Sequence, residues 1–251
     1  ITTSGTGGIY VTETDGVALG SGAGGNTSTG PIVIVAAGAI TTGDTITTTA
    51  NDSPITITST GGAITLSHAV TAQGDGNVTL NANQLLTVNA KVSSTTGDLS
   101  LTGGTGVTHN AAGDLETTLA GTIGVTATTG DVTMADGTIY STGSGTVTVL
   151  AAANVVLGEI TTTSSAINVT ATAGAITETT GAETANLTGG TATLVAGTGI
   201  GVNTVAGDID TAAVTLMTNS GTGGTYVTEA DGVALGSGAG GNTSTGPIVI
   251  V

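Results

Sequence analysis

Apolar side chains recur two residues apart in short runs along this chain, as in Ile55-Thr56-Ile57, Ala63-Ile64-Thr65-Leu66, Val78-Thr79-Leu80, Leu99-Ser100-Leu101, Val132-Thr133-Met134, Val147-Thr148-Val149 and Ile167-Asn168-Val169. A period of two is that of a strand with one face buried. No apolar stripe at helical spacing survives more than a turn, and Gly with β-branched Thr, Val and Ile dominates, so helices are nearly excluded. Turn signals separate the runs: Gly-Asp at 43–44, 74–75, 97–98, 113–114, 130–131 and 207–208, and Asp-Gly at 15–16, 136–137 and 231–232.

The runs recur at a roughly constant step. One series passes in ten steps through Ile32, Ile55, Val78, Leu99, Ile123, Val147, Ile167, Leu187, Ile209, Tyr226 and Ile248. A second series, Ile40, Ile64, Leu85, Val107, Val132, Val156, Ile176, Leu194, Val214 and Val233, runs between its members. The spacing predicts an all-β parallel β-helix, a β-solenoid of about ten coils from Ile32 to Ile248, each with two or three short strands. Inward Val, Ile, Leu and Ala would form a thin column, and outward Thr and Ser would keep strand propensity while meeting water. A string of β-sandwich domains is the rival. It is disfavoured because sandwich cores use large aromatics and no linker marks a boundary at sandwich length.

The chain contains one stretch twice. Residues 217–251 repeat residues 1–35 with differences only at Ile1/Met217, Thr3/Asn219, Ile9/Thr225 and Thr14/Ala230. Residues 1–216 then read as one full repeat unit and 217–251 as the start of the next, within a single continuous solenoid over 1–251. An opening on Ile1 and a stop at Val251 inside an apolar run fit a segment cut from a tandem array. The expectation is a solenoid that passes through residues 216–217 without a linker, with an axial period of about 48 Å at the spacing of parallel strands.

The segments STGGAITL (59–66), TTGDLSL (95–101), TTGDVTM (128–134) and TAGAITE (172–178), each a glycine corner followed by an alternating strand, resemble the repeats of filamentous haemagglutinin-like and other giant β-helical adhesins exported by bacteria. The resemblance covers most of the chain, although these coils are longer and less regular. It implies a right-handed parallel β-helix with a secreted, surface or matrix role, and it carries over no catalytic residue.

Composition narrows the partners. The chain has no Phe, Trp or Cys, 44 Gly, a single Lys as its only basic residue, and a formal charge of −16. Near-absence of basic side chains argues against binding nucleic acid or anionic membranes. No apolar run is long enough for a membrane helix. A disulfide framework or cysteine zinc site is ruled out. The overall reading is an acidic extracellular or cell-surface chain that associates with itself along or between fibres, or with surface or matrix glycans.

Candidate chemistry is sparse. A hydrolase would need paired carboxylates, for which Asp114 with Glu116 and Asp208 with Asp210 are the candidates, and a lyase would need more cations than Lys91. No enzyme is expected. His68 and His109 lie far apart in the chain, without a further soft ligand beside either. The glycine-rich 20–30, repeated at 236–246, lacks the Lys and helix of a phosphate loop and reads as a protruding loop. Calcium is the one cofactor the acidic corners suggest, with Glu13, Asp15 and their repeats Glu229 and Asp231 as candidate ligands. Six Asn-x-Ser/Thr sequons occur, at Asn26, Asn51, Asn77, Asn168, Asn186 and Asn242. Thr-x-Thr triplets at 45–47, 56–58, 146–148 and 191–193 do not recur at constant spacing, so no flat threonine array is expected from them. What remains is a structural reading, the shaft of a long secreted filament or adhesin stalk, with a carbohydrate- or calcium-binding surface module as the alternative.

Overall fold

The computed structural model describes residues 2–20, 25–179, 184–204, 206–236 and 241–251. Among them every strand pairing is parallel and there is no helix. Each strand pairs with the third one before it and the third one after it through most of the chain, which makes a solenoid with three strands to a turn.

The first face is built of five-residue strands, including Ile9–Glu13, Ile32–Ala36, Ile55–Ser59, Val78–Ala82, Leu99–Gly103, Ile123–Ala127, Val147–Ala151 and Ile167–Ala171. In most of them the first, third and fifth side chains are buried. Their register runs Ile9, Ile32, Ile55, Val78, Leu99, Ile123, Val147, Ile167, Ala192, Leu216. The second face runs Val17, Ile40, Ile64, Leu86, Val107, Val132, Val155, Ile176, Ile200, Thr225, Ile248. The third passes through Asn26, Ile46, Val70, Val92, Leu115, Tyr140, Ile160, Leu187 and Thr211. The second face makes ten steps from Val17 to Ile248, so the chain winds about ten turns.

The register revises individual anchors. Leu187 and Ile209, placed by spacing in the series of Ile167, belong to the third face and the approach to it, whereas the first face continues through Ala192 and Leu216. The physical reason is a lost corner. The strands Leu187–Ala196 and Ile209–Ser220 run without a break from the third face onto the first, the former straight through Gly189-Gly190, so the corner expected there is absent. Leu86 and Val155, not Leu85 and Val156, point inward on the second face.

The interior is a narrow column of Ile, Val, Leu and Ala from three sides, nearly all of it completely buried. Burial of each such Val, Ile or Leu contributes about 1.5–3 kcal/mol, which a chain without Phe or Trp can supply by number. Hydroxyls also enter the core. On the third face the last inward side chain of a strand donates to a corner carbonyl of its own turn: Thr117 Oγ1 to Gly121 at 2.7 Å, Thr142 Oγ1 to Gly145 at 2.6 Å, and Thr162 Oγ1 to Ser165 at 2.9 Å. A buried hydroxyl so satisfied closes the corner instead of weakening the core.

Two corners of the duplicated stretch take the same local form on two different faces, whereas its Asp-Gly corner does not, Gly232 having a φ of 97° and Gly16 no positive φ. Gly8 and Gly224 both have positive φ, 81° and 87°, and Ile9 N and Thr225 N donate to Pro31 O and Pro247 O at 2.8 Å each. Ser28 Oγ and Ser244 Oγ each accept the N–H two residues on, from Gly30 and Gly246, at 3.0 Å. Yet Ile9 stands on the first face and Thr225 on the second. Nine steps carry Ile9 to Leu216 on its own face, and Thr225 lies one face further, so the copies are nine and a third turns apart. Residues 216 and 217 lie inside the strand Ile209–Ser220.

Candidate functional site

Function on a solenoid is carried by what points outward and by the corners. The outward columns of the first face read Tyr10, Val33, Thr56, Thr79, Ser100, Gly124, Thr148, Asn168, Thr193, Met217 and, two residues along each strand, Thr12, Val35, Thr58, Asn81, Thr102, Thr126, Leu150, Thr170, Val195, Asn219. None is charged. The second face carries one outward column, Ala18, Thr41, Thr65, Thr87, Thr108, Thr133, Val156, Thr177, with five threonines in succession. On the third, Thr27, Thr47, Thr71, Ser93, Glu116, Ser141, Thr161 and Thr188 stack in the same way. Aligned hydroxyl columns thus exist on every side, although the triplets are irregularly spaced in sequence. The corners absorb the differences in turn length, and in-register pairing restores the alignment at about 4.8 Å per turn.

The corner carboxylates have a structural use. Asp98, directly before its strand, accepts the N–H and hydroxyl of Thr122, its equivalent one turn on, both at 2.8 Å, and its own N–H donates to Asn77 Oδ1 at 2.8 Å. At the next corner Asp131 Oδ1 accepts Asn154 N at 2.8 Å, and Asn154 Oδ1 accepts Ala175 N at 3.0 Å. Asp114 Oδ1 accepts Ile139 N at 2.9 Å and Asn186 Oδ1 accepts Asp210 N at 3.0 Å on the third face. Asp and Asn therefore do one job, capping an N–H that the corner leaves without a carbonyl, and in these ladders carboxylates are separated by Asn, Thr or apolar neighbours. The glycine before each capping Asp is there for close approach. A Cβ on Gly97, before Asp98, would lie 2.2 Å from Gly76 O, one on Gly130, before Asp131, 1.9 Å from Thr105 O, and one on Gly121, before Thr122, 2.2 Å from Gly97 O.

The residues singled out for chemistry do not converge. Asp114 turns to Ile139 on one side, while Glu116, two residues on, pairs with Lys91 on the other. Asp208 binds the Thr228 hydroxyl, and Asp210 is buried. Glu13, Asp15 and Asp231 are exposed. Glu229 is half-buried against the Thr211 hydroxyl, unlike its counterpart Glu13 on the first face, because its strand runs on from the second face to pair with Thr211 on the third. Among the described residues no three His, Cys, Asp or Glu gather in an arrangement able to hold a metal ion. Of the loop expected over 20–30, Asn26–Ser28 is strand, and residues 21–24, like 237–240, lie outside the described residues. Asn26 and Asn186 are buried, which removes two sequons from the accessible surface.

The two histidines occupy opposite environments. His68 is exposed at a corner, its Nδ1 3.2 Å from Thr42 O. His109 lies wholly inside, its Nδ1 donating to Gly113 O at 2.6 Å, its ring edge-on to Tyr140 with centroids 5.0 Å apart. Burial lowers the His109 pKa to about 4 against the smaller opposing effect of the Gly113 bond, and burial raises that of Tyr140. His109 Nε2 and the Tyr140 hydroxyl have no hydrogen-bond partner among the described residues. Alternation alone did not reveal this pair, because His109 sits at an inward position that spacing assigns to an aliphatic residue.

No protein family, no curated protein and no solved structure matches this chain.

Proposed function

We propose that this chain is part of the structural shaft of a longer tandem-repeat β-solenoid, a secreted filament or adhesin stalk, and has no catalytic role. The observation that carries the reading is the duplicated stretch: the corners at Gly8 and Pro31 keep their geometry at Gly224 and Pro247 while their face changes. A unit whose corners work on any face can be added end to end without a special junction, as a shaft requires. Charged side chains spent on capping corners, and outward columns of small hydroxyl residues, support a spacer more than a site. The acidic composition and the single Lys support placement outside the cell. Self-association and contact with surface glycans are the partners that suit such a surface.

The test is direct imaging. A polypeptide of three consecutive units, each matching residues 1–216, purified and viewed by negative-stain electron microscopy, should appear as one straight thin rod. Separate beads joined by flexible chain would overturn the proposal.

A further inference from the structure

The formal charge of −16 is unevenly placed. The carboxylates cluster at corners and strand ends, and neither outward column of the first face carries one. The third face bears Glu116 with Lys91, and the second offers a single outward column. The first face is therefore the broadest uncharged surface, five residues across and, beyond the first strand with its exposed Glu13, nine strands long. Past Tyr10, which projects from the first turn, its relief is low except at Leu150, which is 39% exposed, paired with Thr126 and diagonal to the bare Gly124. Next to Leu150 lies a shallow hollow of about 340 Å³, lined by Thr126, Thr128, Leu150, Ala152 and Thr172.

We propose that this face is the contact surface for a second copy of the same chain, the two packed face to face about a two-fold axis near Leu150, each Leu150 seated in the other's hollow. Charge selects this occupant. Two chains of this net charge can approach closely only where carboxylates are absent on both, and the first face is the widest such area. A two-fold arrangement pairs a patch with itself, so a knob beside its own hollow is what self-complementarity needs. Area allows it: with the axis at Leu150, on the seventh of the ten strands, about seven strands overlap, and about 34 Å by 15 Å of sheet gives on the order of 500 Å² per partner, about 1,000 Å² in total, at the lower end of specific interfaces. Tyr10 at the first turn is the one aromatic in these columns, and the lack of a second ring or of basic groups around Leu150 speaks against a glycan as the principal occupant of this face. The inference gives a surface to the self-association of the shaft reading, but its test uses the single chain 1–251, so its failure leaves the rod test untouched.

Because the chain has no Cys, one introduced thiol reports contact unambiguously. Leu150→Cys on the first face and Thr161→Cys on the third are both outward substitutions, and circular dichroism verifies that each keeps the strand spectrum. Under mild oxidation in moderate salt at micromolar concentration, Leu150→Cys should form disulfide dimers at least about tenfold more than Thr161→Cys. Analytical ultracentrifugation of the parent chain should show a dimer of the 23.5 kDa protomer. Leu150→Glu should reduce it to monomer, while Thr161→Glu should not. Equal cross-linking at the two positions, a monomeric parent, or a Leu150→Glu variant that still dimerises would each overturn the proposal.

Discussion

Ile32 and Ile248 hold the same place in identical sequence and stand on neighbouring faces of the solenoid: Ile32 pairs with Ile9 and Ile55 on the first, and Ile248 pairs with Thr225 on the second. A parallel ladder asks only for an extended strand with alternate apolar residues. It does not ask which side of the column the strand lies on. For a tandem array the consequence is rotational. If the copies stay nine and a third turns apart, each unit presents its surface one face round from the last and returns to the same face after three units. Cryo-electron microscopy of a three-unit polypeptide should show this phase, with a rise of about 45 Å per unit. Equivalent side chains stacked on one face in every unit would contradict it.

Two glycines three positions apart should respond oppositely to alanine. Gly121 would bring a methyl to 2.2 Å from Gly97 O, backbone that is held by turns on both sides, so Gly121→Ala should cost on the order of 3 kcal/mol. Gly124 points outward with its nearest neighbour, Leu99 O, at 3.9 Å, so Gly124→Ala should leave stability unchanged or raise it by about 0.5 kcal/mol. Urea denaturation of both variants gives the comparison, and equal midpoints would refute the close-approach account of the corner.

The corner carboxylates predict a chemical equivalence. Asp131→Asn retains an oxygen for Asn154 N–H and should change stability by less than about 0.5 kcal/mol, whereas Asp131→Ala leaves that N–H without its acceptor and should cost about 1 kcal/mol. The bond is exposed, which keeps the figure small. Chemical denaturation separates the two, and a loss as large in Asp131→Asn as in Asp131→Ala would show that charge, not capping, is what matters there.

His109 makes stability pH-dependent with a definite sign. Its pKa falls from 6.5 in the unfolded chain to about 4 in the fold, so between these values the unfolded chain holds a proton that the folded one refuses. The contribution is complete above about pH 6.5 and is lost as pH falls toward 4, by about 3 kcal/mol. His109→Leu keeps an apolar filling and removes the titration. The difference between parent and variant in unfolding free energy, measured from pH 7 to 4, should shift by that amount, and parallel curves would exclude the effect.

Much of this protein is legible in its residues. The strands, their inward face and the solenoid class follow from alternation and glycine punctuation, because a short strand needs nothing beyond its own pattern to be recognised. The roles of Asp98 and Asn154 were only half visible: Gly-Asp marks a corner, but the N–H it caps belongs to a residue one full turn away. Likewise inward Thr117 and Thr142 read as surface residues until the corner carbonyl that receives each hydroxyl is seen. The sequence by itself determined that the chain winds, and roughly how often. Which residues share a face was decided by the tertiary structure, since register is set by hydrogen bonds between successive turns, and a corner that vanishes within Leu187–Ala196 or Ile209–Ser220 shifts the phase without disturbing the alternation that sequence reveals.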